Sequence, residues 1–131
     1  MPIELTLMGI VLLLALANVG WAGAARTRQY GTQWNMGARD EAMPPLAPLP
    51  GRLLRAQANL FETLPLFVAA VLGCVVAARL GWKTALGAHL YCWARVAYLP
   101  LYAWGVPVVR SIVWMVGGAG LLLLIWALLL G

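Results

Sequence analysis

Two long stretches without a charged residue constrain the fold of this chain more than any other feature. They cover residues 5–25 and 111–131, and a third uncharged stretch covers residues 63–78. A helix needs about 20 apolar residues to cross the roughly 30 Å hydrocarbon core of a bilayer. These stretches therefore predict transmembrane helices.

The composition supports a membrane protein of a single domain. Of the 131 residues, 63% are hydrophobic and 10% are charged, whereas a soluble domain carries about 25% charged residues. Two cysteines are too few for a disulfide scaffold. The sequence also lacks the ten-residue alternation of a membrane barrel. We expect an all-α integral membrane protein, a four-transmembrane-helix bundle with helices at about 5–25, 53–78, 84–104 and 108–130.

The only substantial loop is predicted over residues 26–52, between the first two helices. Its last part is rich in proline, which favours extended, polyproline-like backbone at Pro44, Pro45, Pro48 and Pro50. The first helix has Glu4 and no basic residue before its apolar run, and the run is too long for a signal peptide. We therefore expect this helix to be retained.

The distribution of basic residues predicts the orientation in the membrane. Six of them flank the first and third connections between helices: Arg26, Arg28, Arg39, Arg52, Arg55 and Arg110. Only two, Arg79 and Lys83, flank the second connection. Basic residues accumulate on the cytoplasmic side. Both termini should therefore be non-cytoplasmic in a multi-pass protein. The membrane topology then accounts for the excess of basic over acidic residues, which therefore does not indicate a protein that binds nucleic acid.

Arg95 interrupts the third predicted helix. A charged group near the centre of a membrane helix costs about 2.5–3.5 kcal/mol on insertion scales, whereas a leucine returns only about 0.3–0.6 kcal/mol. The helix should therefore insert comfortably only if Arg95 meets a partner or a wet cavity.

Two polar stripes are predicted to face each other at this depth. Arg55, Asn59 and Glu62 share one face of the second helix, and Arg95, Tyr98 and Tyr102 share one face of the third. In an antiparallel pair Glu62 lies level with Arg95. One interpretation is a structural ion pair between these two residues. The other interpretation is a pocket that binds an anionic ligand. The three arginines at 55, 95 and 110 outnumber the single acid Glu62, and an uncompensated buried charge is costly.

The stretch from Arg55 to Phe67 carries a recognisable motif. It reads RAQANLFETLPLF and fills every fixed position of R-A-x-x-N-x-x-E-x-x-P-x-F. In this it resembles the second helix of the MAPEG family, the membrane-associated proteins of eicosanoid and glutathione metabolism. The later part of the family pattern is similar to a second set of residues in this chain: Arg95 with Tyr98, then Tyr102, then Arg110 with Ser111. The loop run WNMGARD at residues 34–40 resembles small bacterial members, which implies a bacterial inner membrane.

The resemblance implies a homotrimer with glutathione as co-substrate, bound between subunits on the cytoplasmic side. The second helix would bind it through Arg55, Asn59 and Glu62, and Gln57 matches some members. Arg95, Tyr98 and Tyr102 would contribute from the third helix, and Arg26 or Arg28 could add a basic contact. Arg110 would be the catalytic residue that stabilises the glutathione thiolate. A lipophilic electrophile would approach through the membrane lipids, as in a glutathione transferase or peroxidase.

Other interpretations stay open at this point. One family branch binds lipid without catalysis, so the chain could be a non-catalytic membrane protein or an accessory subunit of a larger membrane complex. Thr63 and Trp114 also depart from the aromatic residues of some eicosanoid-making members. A proton-coupled transporter is less favoured, because Arg55 and Arg95 would keep Glu62 ionised. Cys74 and Cys92 are expected to be buried apolar residues, and the lone His89 does not indicate a metal site.

Overall fold

The computed structural model describes all residues from Met1 to Gly131 and is entirely helical. One helix is short and four are long: α1 (Ile3–Tyr30), α2 (Thr32–Met36), α3 (Pro48–Val76), α4 (Trp82–Ala103) and α5 (Val108–Leu130). Helix α1 extends beyond its apolar run because no glycine or proline interrupts residues 26–30. It ends at Gly31, whose φ of 95° places it outside helical geometry.

The expectation of extended backbone was wrong for two of the four loop prolines. Helix α3 begins at Pro48 and includes Pro50 in its first turn, where a missing backbone N–H costs nothing because that group has no partner inside the helix. Pro44 and Pro45 lie outside the helices, as expected. The predicted loop over residues 26–52 is therefore shorter, and it also contains α2.

Three of the long helices, α1, α3 and α5, are long and apolar enough to cross a membrane. The fourth, α4, has 22 residues but carries Lys83, His89 and Arg95, which lower its hydropathy. The chain has the character of a multi-pass membrane protein, and the crossing of α4 stays a prediction.

Helix α3 contacts the three other long helices, and so does α4, which packs against α1, α3 and α5. Two apolar clusters surround it. The larger is built around Leu7, Phe67, Val71, Tyr91 and Leu124. The smaller lies nearer the α1–α3 loop and comprises Ala22, Leu53, Ala56, Leu99 and Ala103. Arg95 is in neither cluster, and its position along α4 is between Tyr91 of the first and Leu99 of the second.

Buried polar contacts fix α1 to the rest of the bundle. Glu4 accepts a hydrogen bond of 2.7 Å from the Thr84 hydroxyl of α4, and both residues are buried. Asn18 donates its side-chain amide to the Leu53 carbonyl of α3 at 3.2 Å. In a bilayer, such bonds between helices add to van der Waals packing.

Glycines bring α4 and α5 into close contact. A Cβ atom placed on Gly87 would lie 2.6 Å from the carbonyl oxygen of Gly120, and one placed on Gly120 would lie 2.5 Å from the carbonyl oxygen of Gly87. Neither distance is possible for a real Cβ atom. Small residues at such crossings allow helix backbones to approach each other.

We expect Gly120→Ala to lower the stability of the bundle by about 1–3 kcal/mol, because the added methyl group must force α5 away from α4. Gly118→Ala is the matched control in the same helix, since its Cβ would meet nothing within 4 Å. Thermal unfolding in detergent should show a lower midpoint for the first variant only. Equal midpoints would contradict the close crossing.

Candidate functional site

Arg95 is buried within the bundle, with only 3% of its surface exposed. Its Nη1 donates a hydrogen bond of 2.8 Å to the side-chain oxygen of Asn59 on α3. The guanidinium carbon lies 4.5 Å from the centre of the Tyr98 ring, one turn along α4. Its Nη2 is also buried and has no partner within the chain. Arg95 therefore retains a free donor in an apolar region.

The aromatic stripe of α4 connects this arginine to the start of α5. Tyr98 and Tyr102 pack edge to face, with ring centres 5.5 Å apart. The Arg110 guanidinium carbon lies 4.5 Å from the centre of the Tyr102 ring. Two cations thus face two tyrosine rings at one end of the bundle, an arrangement that stabilises each cation through the ring quadrupole.

A cavity of about 380 Å³ opens beside this stripe. Six residues from α3, α4 and α5 line it: Asn59, Tyr98, Arg110, Ser111, Trp114 and Met115. Arg110 is the only charged residue among them, and no carboxylate reaches the wall. The cavity size falls within the range of small-molecule sites, and its charge favours an anionic group.

The expected ion pair between Glu62 and Arg95 is not formed. Arg95 is bonded to Asn59 instead, one helical turn nearer the α1–α3 loop, and Glu62 lies exposed on the outer face of α3. Spacing along the chain placed Glu62 level with the backbone of Arg95. The face of α3 that is turned toward α4 carries Asn59 and Thr63, and Glu62 lies about 100° around the helix from Thr63.

The other residues expected in the site fall into two groups. Arg55 is exposed on α3, seven residues from Glu62 and on the same face. Gln57 is half-buried on α3 and does not line the cavity. Of the expected site residues, Asn59, Tyr98 and Arg110 line the cavity. Arg95 and Tyr102 do not line it but contact residues that do, whereas Arg55, Glu62 and Gln57 lie outside the cavity of a single chain.

The two arginines at the end of α1 have separate surroundings. The Arg26 guanidinium carbon lies 5.4 Å from the centre of the Trp34 ring of α2. Arg28 lines a different groove, formed by α1 and the start of α3, which shares no residue with the cavity beside Tyr98. Their assignment to glutathione stays a prediction.

Sequence reasoning missed a polar pair directly beside Arg95. The Thr63 hydroxyl lies 2.8 Å from that of Tyr91, whose ring stacks on Phe67 at 4.2 Å between centres. Both hydroxyl-bearing residues and Arg95 line a small cavity of about 20 Å³. The signal was present, because Tyr91 precedes Arg95 by four residues and so continues the stripe of Tyr98 and Tyr102.

The two cysteines and His89 lie outside the cavity beside Tyr98. Cys74 and Cys92 are free and buried. The Nδ1 atom of His89 accepts a hydrogen bond of 3.0 Å from Trp93. No group of three or more His, Cys, Asp or Glu residues is placed to hold a metal ion.

Comparison with known proteins identifies the family. No curated protein and no solved structure matches the chain. A family model described as "MAPEG family" matches residues 4–130 of the 131-residue sequence. This match covers the four long helices except Ile3, the first residue of α1, and it includes every residue of the cavity beside Tyr98. The chain belongs to the MAPEG family.

Proposed function

We propose that the protein is a membrane-bound, glutathione-dependent transferase or peroxidase that acts on a lipophilic electrophile. One observation carries this proposal: the cavity beside Tyr98 has the Arg110 guanidinium and the Asn59 amide in its wall and no carboxylate. Glutathione is a thiol with two carboxylates, and both its carboxylates and its thiolate are anions that such a wall favours.

Arg110 is the residue best placed to stabilise a thiolate. A free thiol has a pKa near 8.5, so only a small part of it is ionised at neutral pH. A guanidinium beside the sulfur favours the anion and so lowers the thiol pKa. Arginine suits this role because it keeps its charge when it is removed from water. Asn59 and Tyr98 line the same cavity and would orient the tripeptide.

The reaction proposed here follows from a thiolate at this position. In the transferase reaction the sulfur forms a bond with an electrophilic carbon, and the leaving group departs or the adjacent double bond takes up a proton. In the peroxidase reaction the sulfur attacks the peroxide, the O–O bond breaks, and a second glutathione completes the disulfide with release of an alcohol and water. Trp114 and Met115 are exposed, so an apolar substrate could reach the cavity from the lipid side.

The exposed charges of α3 support assembly of several copies. Arg55 and Glu62 lie on the outer surface of a helix that is apolar enough to cross the membrane, and charged groups in lipid are costly. Phe61 is 42% exposed beside them. We propose that a neighbouring subunit covers this face in a homotrimer, with the ammonium group of glutathione at Glu62 and a carboxylate at Arg55.

A non-catalytic, lipid-binding member is the second candidate. The apolar side of the cavity favours it, because Trp114 is 42% and Met115 is 58% exposed, and neither group supplies chemistry. A protein of this kind would bind an apolar ligand in the cavity with or without glutathione. The two candidates differ in whether bound glutathione becomes ionised.

We expect Arg110→Ala to reduce the thiolate fraction of bound glutathione at neutral pH by at least about tenfold, because an opposite charge nearby shifts a pKa by about 1–3 units. Ultraviolet absorbance of the thiolate, measured on the purified protein at saturating glutathione, checks this. Glutathione binding itself should persist, since Asn59 and Tyr98 stay in place.

Arg39→Ala is the control for this experiment, because Arg39 lies in the loop and bonds to Asn35 rather than lining the cavity. Its thiolate absorbance should equal that of the unchanged protein. If Arg110→Ala also leaves the absorbance unchanged, the role of Arg110 is refuted. If the unchanged protein binds glutathione without thiolate absorbance, the non-catalytic candidate is favoured.

We expect Glu62→Gln to weaken glutathione binding about tenfold or more, because a charge-assisted hydrogen bond contributes about 1.5–3 kcal/mol. Calorimetry gives the affinity, and light scattering in detergent gives the number of chains. Glu41→Gln in the exposed loop is the control and should bind like the unchanged protein. Unaltered affinity in Glu62→Gln would remove Glu62 from the proposed site.

A further inference from the structure

A further cavity, of about 370 Å³, shares no residue with the cavity beside Tyr98. It is a groove between the last turns of α1 and the first turn of α3. Its apolar walls are formed mainly by Trp21, Ala24, Ala25, Leu49 and Pro50. Arg28 is the only charged residue among those that line it, and it is exposed. The groove therefore combines a long apolar surface with one free cation.

The position of these residues along α1 matches the layers of a bilayer. Trp21 and Arg28 are two turns apart on one face, which separates them by about 10.5 Å along the helix axis. The uncharged run of α1 ends at residue 25, so Trp21 lies within the apolar layer and Arg28 about 4.5 Å beyond its edge. The headgroup layer occupies roughly the next 5–7 Å on each side of the membrane.

Hydrogen bonds across the loop hold the groove in shape. The Gln29 side chain donates to the Pro45 carbonyl at 3.1 Å and accepts from the Ala47 backbone N–H at 2.7 Å. The Tyr30 hydroxyl donates to the Pro44 carbonyl at 2.6 Å. These contacts join the end of α1 to the chain just before α3. The two walls are therefore positioned without a ligand.

We propose that this groove binds one anionic phospholipid of the leaflet that faces the α1–α3 loop. An acyl chain would lie along Trp21 and Leu49, and the phosphate would contact Arg28. A lipid fits this groove better than a soluble anion does, because most of the wall is apolar and begins inside the membrane layer. Anionic lipid fits better than zwitterionic lipid, because the groove has a cation for the phosphate but no carboxylate for the positively charged amine of a zwitterionic headgroup.

This proposal does not depend on the glutathione site, and one set of variants tests it. Purified protein is incubated with phosphatidylglycerol, with phosphatidylcholine or with inorganic phosphate, and lipid retained after detergent washing is counted by native mass spectrometry. We expect one phosphatidylglycerol per chain to be retained in preference to phosphatidylcholine. Arg28→Gln should reduce its retention about fivefold, the effect of one basic residue at a lipid surface.

Two further variants separate the parts of the site. Ala24→Phe should reduce retention by filling the apolar part, and it should not unfold the protein because Ala24 is exposed. Arg39→Gln removes a basic residue outside the groove and should retain lipid like the unchanged protein. Equal retention by Arg28→Gln and Arg39→Gln would overturn the proposal. So would equal retention of the two lipids, or displacement of phosphatidylglycerol by inorganic phosphate.

Discussion

The packing of this bundle has to accommodate one buried guanidinium group, that of Arg95. Arg95 lies on α4 and is almost completely enclosed, yet no carboxylate forms an ion pair with it within the chain. It is accommodated by an amide oxygen at 2.8 Å and by the face of a tyrosine ring at 4.5 Å. Both partners stabilise a cation without cancelling its charge. The surroundings of Arg95 thus keep an excess of positive potential inside a medium that does not screen it.

The close crossing of α4 and α5 extends this potential toward one end of the bundle. Because Gly87 and Gly120 allow the two backbones to touch, the start of α5 stays near the tyrosines of α4. Arg110 therefore packs on the Tyr102 ring. A larger residue at the crossing would move Arg110, which lines the cavity beside Tyr98, away from the tyrosines of α4. The packing of small residues at this crossing thus helps to determine where the positive charge of Arg110 lies.

Much of this arrangement could be predicted from sequence spacing, and the limits have physical causes. The four long helices follow from their apolar runs, and the polar faces of α3 and α4 follow from helical periodicity. Spacing gives the level of a residue along the helix, however, and not how the helix is rotated against its neighbour, so Arg95 bonds to Asn59 while Glu62 is exposed. The pairing of Gly87 with Gly120 and the bridge from Gln29 to Ala47 join distant parts of the chain. Periodicity within one helix carries no information about such partners.

The polar ties between helices are distributed unevenly, and this has a mechanical consequence. Helix α1 is bonded to its neighbours near its first turn through Glu4 and midway through Asn18, and its last turn is bonded to the loop before α3 through Gln29. The Ser111 hydroxyl, by contrast, bonds only to the Pro107 carbonyl next to its own helix. Side-chain hydrogen bonds from other helices reach α5 only beyond the glycine crossing, from Cys74 to the Leu124 carbonyl at 3.6 Å and from Lys83 to the Gly131 carbonyl at 2.7 Å. The Arg110 end of α5 is therefore held by side-chain packing, whereas hydrogen bonds tie α1 to the rest of the chain at both of its ends.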